Sequence, residues 1–427
     1  MADITVKKAK KIKGEMNIPG DKSISHRAVM LGALADGETT VNNFLNSADC
    51  LATAECLREM GIESTVNSQQ LTVKGKGLRG LQKPGKELFV GNSGTTIRIL
   101  SGILAGQNFP SKITGDASIQ KRPMKRIVEP LTRMGAKIKG EFAPLEIQGG
   151  KLRAIEYKLP MASAQVKSCI LLAGLFADGE TTVIEPVKSR DHTERMLGYL
   201  GVDIKVFRNE ITIRGNGRGF DAREINVPGD ISSAAFFMAA GILVPDSDLL
   251  LRNVGTNPTR TGILEVFHRM GADLEVKDEE IMSGEPRGSM RTRHVTSIHG
   301  LQIGGELIPR LIDEIPIIAV VATQAEGDTV IKDAKELRVK ESDRIATISA
   351  ELRKMGVNIE EKEDGMVIHG PTPLKGCNVE SHGDHRVAMS LAIAGFIAEG
   401  ETRISNTDCI ETSFPGFEKL LNGSITQ

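Results

Sequence analysis

Tryptophan is absent from this 427-residue chain, tyrosine occurs twice, and aromatics make up only 4% of it. Proteins that hold single-stranded nucleic acid stack bases on aromatic rings beside basic stripes. Neither ingredient is abundant, because 54 Lys and Arg face 55 Asp and Glu, for a net charge of −1. Balanced charge also argues against a protein that coats nucleic acid through bulk electrostatics. Cysteine is scarce too. Cys50, Cys56, Cys169, Cys377 and Cys409 are scattered, odd in number and without a CxxC. That pattern argues against a disulfide scaffold or a zinc ribbon. His382 and His385 stand three apart with no Cys or second His pair beside them, so no metal is expected. Long apolar runs are missing as well. The longest, such as Ala234–Val244, reach about ten residues, whereas a bilayer-spanning helix needs ~20. The lysine-rich start, MADITVKKAKKIKG, leads into no apolar stretch and does not read as a signal peptide. The expectation is a soluble protein of a reducing cytoplasm, without membrane or nucleic-acid partners.

What the chain does have is glycine, 45 residues of it, and a period. The phrase ADGETTV stands at Ala35–Val41 and again at Ala177–Val183, with relatives at Ala325–Ile331 and Ala398–Ile404 and weaker ones from Ala105 and Pro245. The markers Gly37, Gly106, Gly179, Asp246, Gly327 and Gly400 are 69, 73, 67, 81 and 73 residues apart, close to one sixth of the length. A second phrase, as in LTRMGAK and FHRMGAD, puts Gly at 61, 135, 201, 271 and 356, with a degenerate copy at Gly423. Apolar i, i+4, i+7 stripes precede it at Ile127/Leu131/Met134, Ile263/Phe267/Met270 and Ile348/Leu352/Met355. These are amphipathic helices ended by glycine. A third phrase, in LTVKG, LEIQG, ITIRG and MVIHG, is a strand ending in glycine. Six units therefore follow, each reading strand, helix, strand, helix, then a strand or two. Segments such as Ser168–Phe176 and Ile315–Ala322 are apolar on nearly all sides, so they are expected as buried helices under outer sheet. The fold class is α/β (α+β), inside-out. Gly75, Gly77 and Gly80 spell GxGxxG. No apolar helix follows, so this is a repeat turn, like Gly215-Asn-Gly217-Arg-Gly219, and not a dinucleotide site.

Ile18-Pro-Gly-Asp21 resembles Val227-Pro-Gly-Asp230, and Pro19 and Pro228 are 209 residues apart. This groups the units three and three. The expected domains are 20–228 and 1–19 plus 229–427, with a hinge near Gly20 and Gly229 and ligands in the cleft between the domains. The strand before Pro19 is expected to complete the last unit.

Four segments break the repeat and collect cations or small residues. In Gly20-Asp-Lys22-Ser23-Ile-Ser25-His26-Arg27, Ser23 is expected to cap a helix whose free N–H groups suit an anion. Gly91-Asn92-Ser93-Gly94-Thr95-Thr96-Ile97-Arg98 opens another helix with small residues, as an anion cradle or as a simple cap. Lys121-Arg122-Pro123-Met-Lys125-Arg126 is paired with Ser189-Arg190-Asp191-His192 one unit later. The fourth, in the second half, joins Lys340-Glu341-Ser342-Asp343-Arg344 to Gly383-Asp384-His385-Arg386 and to Asp313-Glu314. Lys340 and Arg344 are expected on one helical face. Capping is the alternative account of Asp313 and Asp384. The cations suit two or three phosphate or carboxylate groups, and Arg suits a bidentate grip. Repulsion between the facing cation patches of the two halves is expected to hold the cleft open until an anionic ligand neutralises them.

Taken together, PGDKSISHR (19–27), GNSGTTIR (91–98), KRPM (121–124), SAQVKS (163–168), LIDEIP (311–316), KESDR (340–344) and GDHR (383–386) run in the order of one family. Over essentially its whole length the chain resembles the EPSP synthases, the 3-phosphoshikimate 1-carboxyvinyltransferases. The resemblance implies two domains of three βαβαββ units and transfer of an enolpyruvyl group from phosphoenolpyruvate to shikimate 3-phosphate. It implies that Lys22, Ser23, Arg27, Ser163, Ala164, Gln165, Arg190, Asp313 and Lys340 hold shikimate 3-phosphate. Lys22, Asn92, Gly94, Arg122, Gln165, Arg344 and Arg386 would hold phosphoenolpyruvate. Asp313 would be the base, and Glu341 or Lys22 the proton donor. No cofactor is implied, and a monomer is.

Two positions depart from the pattern of many members. Ala164 replaces a second Ser, and Thr412-Ser413 precede Phe414-Pro415 where a Lys is common. Both resemble the family's second, more divergent bacterial class, and the missing Lys removes one expected donor contact. Gly94 is retained, so the phosphonate inhibitor glyphosate is expected to fit. Two other readings compete. UDP-N-acetylglucosamine enolpyruvyl transferase uses a loop Cys, which Gly115–Arg122 lacks. A repeat scaffold or nucleic-acid binder would need the aromatic and basic stripe that is missing.

Overall fold

The computed structural model describes residues 2–215 and 217–426, with Ser424–Thr426 as backbone only. Ile231–Leu243 shows how each module starts. Asp230 is extended, and its carboxylate accepts the Ser232 N–H at 2.9 Å, satisfying a donor that the first turn leaves free. Every residue from Ile231 to Ile242 is then buried, as a helix apolar on all sides must be. Lys22–Leu34, Gly94–Ala105, Ala164–Gly174, Ile315–Ala322 and His385–Ile397 are its counterparts and are buried almost throughout.

Six sheets cover these helices. The central strands are Asp36–Asn42, Pro110–Thr114, Ala177–Ile184, Asp248–Gly255, Gly327–Ile331 and Glu401–Ser405, which carry the periodic ADGETTV-like phrases. Each pairs in parallel with a short or early strand on one side and antiparallel with a later or returning strand on the other. The amphipathic helices carry the expected stripes inward: Ile127, Leu131, Met134, Ile263, Phe267, Met270, Ile348, Leu352 and Met355 are all buried. Gly271 ends its helix in the left-handed region at φ 95°, a conformation that glycine adopts without a Cβ penalty.

The strand-end glycines have a packing cause. A Cβ on Gly75 would lie 2.2 Å from the Ala35 carbonyl oxygen, and one on Gly215 would lie 2.2 Å from that of Ala177. Each strand thus runs over the turn that follows a buried helix. Gly75 is spent on this contact, which accounts for the GxGxxG without a nucleotide. Its counterpart run includes Asn216, which lies outside the described residues.

By contact density the described residues form two compact units. One falls within Met1–Pro19, Pro228–Glu280 and Pro286–Gln427, the other within Gly20–Val227 and Ile281–Glu285. Each has its own apolar core. In the first unit Phe237, Phe414 and Phe417 meet at centroid distances of 5.4 to 6.0 Å. A buried side chain of this kind stabilises a fold by about 1.5–3 kcal/mol.

The first strands differ from expectation. Two strands, not one, precede Pro19. Ile4–Lys7 pairs antiparallel with Glu401–Ser405 and completes the last sheet, but Lys11–Asn17 pairs in parallel with Asp248–Gly255 in the fourth. The vacant place in the first sheet is filled by Ile225–Asn226, parallel to Asp36–Asn42. The two Pro-Gly phrases thus exchange first strands. Pairing over this separation is invisible to periodicity, because either strand fits either edge.

Candidate active site

In the unit built on Gly20–Val227, three buried helices begin with caps. The Asp21 carboxylate accepts the Ile24 N–H at 2.9 Å, Ser93 Oγ that of Thr96 at 3.1 Å, and Ser163 Oγ that of Val166 at 3.4 Å. Asp21, not Ser23, therefore caps the first helix, and Ser23 lies one residue inside it. Asp wins because its carboxylate also meets the helix dipole favourably.

Side chains tie these helix ends together. Gln165 accepts from Arg98 Nη1 at 2.7 Å and donates to Thr95 Oγ1 at 3.0 Å. Arg122 Nη2 donates to Asn92 Oδ1 at 3.2 Å, and a Cβ on Gly94 would sit 3.1 Å from Arg122 Nη1. Asn92, Gly94, Arg122 and Gln165 thus form one group around the start of Gly94–Ala105. Ser163 and Ala164, both half-buried, open the adjoining helix. Lys22 lies beside Asp49 at 2.5 Å.

Arg27 is buried and closely engaged. Its Nε donates to Thr193 Oγ1 at 2.7 Å, Nη2 to Ser168 Oγ at 2.7 Å, and Nη1 to the Ser23 carbonyl at 2.8 Å. Burial pulls its pKa down to about 10 against the pull of Glu194 and Asp21, and the charge of Arg190 also lowers it. The Arg190 and Arg27 charges therefore act on each other.

In the other unit the helix starts are tied by ion pairs. Arg344, 1% exposed, donates from Nε to Asp384 Oδ2 at 2.8 Å, from Nη1 to Asp313 Oδ1 at 3.1 Å and from Nη2 to Glu341 Oε2 at 2.6 Å. Burial opposes that charge, but Asp384, Glu341 and Asp313 outweigh it and hold the guanidinium above its ordinary pKa. Asp384 is likewise buried, yet Arg344 keeps its carboxyl below the usual range. Asp313 also has Lys340 at 3.7 Å and Arg386 at 4.0 Å, and Arg386 lies 3.9 Å from Glu314. Asp313 is thus ringed by three cations, on a 3-10 turn before the helix Ile315–Ala322.

One expectation needs correction, and two others gain detail. Lys340 is not on the helix of Arg344, which starts at Arg344 with Asp343 as its cap; Lys340 follows the 3-10 turn Lys335–Val339. It reaches Asp313 from the loop instead. Asp384 does cap His385–Ile397, through the Arg386 N–H at 2.9 Å, but its other oxygen binds Arg344, so capping and anion-site geometry coexist. Within each unit the cations have carboxylates close by, as Lys22, Lys340, Arg344 and Arg386 show.

Sequence reasoning missed Arg260, 2% exposed, which donates to Asp230 Oδ1 at 3.1 Å and to Ser232 Oγ at 2.7 Å. It lies in a loop with no motif. Arg98 was visible as the end of GNSGTTIR, but nothing local showed that it reaches Gln165. At the departure before Phe414, Ser413 is buried and its hydroxyl has no partner among the described residues. His382 is spent on Glu351 at 2.8 Å. Among the described residues no group of three metal-ligating side chains lies together, and no helix is long and apolar enough to cross a membrane.

Buried helices under outer sheets, repeated three times in each unit with cations gathered at the helix starts, define a class: an inside-out α/β protein suited to small anions. A solved structure of the enolpyruvyl transferase NikO from Streptomyces tendae shares this fold at a TM-score of 0.81, with 16% identity over 98% of this chain and 96% of that one. A solved EPSP synthase from Acinetobacter baumannii is 45% identical at a TM-score of 0.89, covering 99% of this chain and 98% of that one. The 3-phosphoshikimate 1-carboxyvinyltransferase of Bacillus licheniformis is 56% identical over 96% of each chain, and that of Citrifermentans bemidjiense is 52% identical over the full length of both. The profile of the family described as EPSP synthase (3-phosphoshikimate 1-carboxyvinyltransferase) matches residues 6–421. The chain belongs to the EPSP synthase family.

Proposed function

We propose that the two groups of charged side chains serve one reaction, that of the family. The enolpyruvyl group of phosphoenolpyruvate is transferred to the 5-hydroxyl of shikimate 3-phosphate, and phosphate leaves. The observation that carries this reading is the ring of Lys340, Arg344 and Arg386 around Asp313. Such a carboxylate, among cations that can accept substrate anions, can take the proton of a hydroxyl held beside it. Ser23, Arg27, Ser163, Ala164, Gln165 and Arg190 hold shikimate 3-phosphate together with Lys22, Asp313 and Lys340. Lys22, Asn92, Gly94, Arg122, Gln165, Arg344 and Arg386 hold phosphoenolpyruvate.

The methylene carbon of the enol must gain a proton, which makes the neighbouring phosphate-bearing carbon electrophilic. Glu341 is bound to Arg344 before the donor arrives. A donor anion that takes over Arg344 loosens that pair, and Glu341 then serves as the acid, with Lys22 as the other candidate. Addition of the hydroxyl gives a tetrahedral intermediate. Phosphate then leaves and the residue that supplied the proton takes one back from the new methyl group, which returns the enol ether, with the cations stabilising the charge that develops. No cofactor enters this scheme. The domains are 20–228 and 1–19 plus 229–427, with bending near Gly20 and Gly229. Support comes from the compact units, two of whose chain boundaries fall at Pro19/Gly20 and Val227/Pro228, although Ile281–Glu285 groups with Gly20–Val227. The enzyme acts as a cytoplasmic monomer.

A phosphate-release assay with both substrates, and with each omitted, tests the reading. Release above the single-substrate controls is expected; none would overturn it. Asp313→Ala should lower kcat by roughly 10²-fold or more, the scale of general acid–base catalysis. Near-normal turnover would remove Asp313 as the base.

A further inference from the structure

Lys167 is a lysine with no access to solvent. It lies on the helix Ala164–Gly174, two residues after Gln165, and its side chain is 0% exposed. An isolated ammonium would not stay charged in such a place. Lys167 Nζ is 2.8 Å from Glu185 Oε2 and 2.7 Å from Glu194 Oε1, both buried carboxylates. Burial opposes the Lys167 charge, but the two glutamates overcome it and raise its pKa. Two carboxylates against one ammonium leave one negative charge over. The nearby counter-charge is Arg27, which feels Glu194 as its strongest favourable influence.

This cluster grips the chain on the way to Arg190. Glu185 Oε1 accepts the Ser189 N–H at 3.2 Å and also the Ser189 hydroxyl. Lys167 Nζ donates to the Ser189 carbonyl at 3.4 Å. Ser189 is therefore held at its N–H, its hydroxyl and its carbonyl, and the next residue is Arg190. On the neighbouring turn Ser168 and Thr193 bond to each other at 2.7 Å, and each accepts from Arg27. Thr193 precedes Glu194, and Ser168 follows Lys167. One buried charge cluster thus holds the residue before Arg190 and adjoins the two hydroxyls that bind Arg27.

We propose that Lys167, with Glu185 and Glu194, is a positioning group that fixes Arg190 and Arg27 for the phosphate of the acceptor substrate. This rests on the functional reading above. Buried ion pairs of this kind are weak evidence for stability, because desolvation offsets their attraction. A positioning role makes a sharper prediction than a stabilising one. Loss of the cluster should weaken the acceptor and leave the donor nearly untouched, because Arg344 and Arg386 pair with Asp313, Glu314, Glu341 and Asp384, and Arg122 bonds Asn92.

Lys167→Met alone leaves two buried carboxylates without their cation and risks misfolding. The paired variant Lys167→Met/Glu185→Gln removes one charge of each sign. The milder Ser189→Ala cuts only the hydroxyl contact to Glu185. Thermal melts establish folding, and KM is measured for shikimate 3-phosphate and for phosphoenolpyruvate. For the paired variant, acceptor KM should rise roughly tenfold while donor KM stays within about threefold, as expected when a binding group is misplaced. Ser189→Ala should move in the same direction by less, and it carries the test if the paired variant does not fold. Both changes are repeated in an Arg190→Gln background. If the cluster acts through Arg190, the added loss there should fall below about twofold. Equal rises in both KM values, or losses that multiply in full with Arg190→Gln, would overturn the proposal. Wild-type turnover is measured in the same series. Its absence would remove the functional reading itself, and with it this proposal. Turnover without the KM split would remove the proposal alone.

Discussion

Arg344 and His26 are both buried, and they resolve the cost of a buried charge in opposite ways. Arg344 meets Asp384, Glu341 and Asp313 and keeps its charge. His26 has one partner, Thr53 Oγ1 at 2.6 Å, while its Nε2 has none among the described residues. Burial, and then the charges of Lys22 and Arg27, push its pKa well below 6.5. The folded protein therefore refuses a proton that the unfolded chain accepts. Stability from this source is complete above about pH 6.5 and declines as pH falls below it, by up to roughly 1.4 kcal/mol per pH unit. Urea melts at pH 7.5 and 5.5 should show this loss in the wild type and much less of it in His26→Gln. Equal losses in both would show that other groups carry it. At Gly94 the constraint is steric. An added Cβ would lie 2.9 Å from Arg98 Nη1 and 3.1 Å from Arg122 Nη1. Both are ends of flexible side chains, so Gly94→Ala should fold normally and displace the two guanidiniums. The donor KM should rise by roughly three- to tenfold, or about 1 kcal/mol, and inhibition by glyphosate should weaken with it. An unchanged donor KM would separate Gly94 from the donor site.

Helix packing sets the next level. Gly94–Ala105 and Ala164–Gly174 lie against each other, and a Cβ on Gly102 would fall 2.1 Å from the Cys169 carbonyl oxygen. Backbone cannot yield as a long side chain can. Gly102→Ala should therefore destabilise the fold by roughly 2 kcal/mol or more, among the larger effects of a single substitution. A melting temperature unchanged from wild type would disprove the close approach. Much at this scale was legible in the sequence. The period, the glycine-ended helices and the buried helices all follow from local pattern, because a helix apolar on every side has one place to go. The motif ends were legible as well, since those segments interrupt the repeat and concentrate small residues and cations. The partners were not. Lys167 sits in the motif SAQVKS, yet its glutamates lie 18 and 27 positions further on. Arg260 belongs to no motif, and its partners Asp230 and Glu314 are likewise distant in sequence. Asp21 displaced Ser23 as a cap because both residue types suit the role, and only geometry chooses between them.

For the whole chain, the exchanged first strands carry the strongest consequence. The sheet of Asp36–Asn42 is completed by Ile225–Asn226, within the same stretch of chain. The sheets of Asp248–Gly255 and Glu401–Ser405 are instead completed from the N-terminus, by Lys11–Asn17 and Ile4–Lys7. Of these, Ile4, Val6, Ile12 and Met16 are buried in the core of their unit. A fragment of residues 228–427 would thus lack two strands and, with Ala9 and Ile18 counted, six core side chains, and would expose two open sheet edges. Open edges invite aggregation, and each missing apolar side chain removes about 1.5–3 kcal/mol. That total is comparable with the whole stability of a domain, about 5–15 kcal/mol. A fragment of residues 20–227 lacks, from its own unit, the short segment Ile281–Glu285. The expected outcome is asymmetric. The 20–227 fragment should melt cooperatively by calorimetry. The 228–427 fragment should give no cooperative transition until residues 1–19 are supplied, either fused through a flexible linker to the start of the fragment or added as a peptide. Cooperative melting of 228–427 alone, at the same temperature with and without the added segment, would show that the N-terminal strands merely decorate a core complete without them.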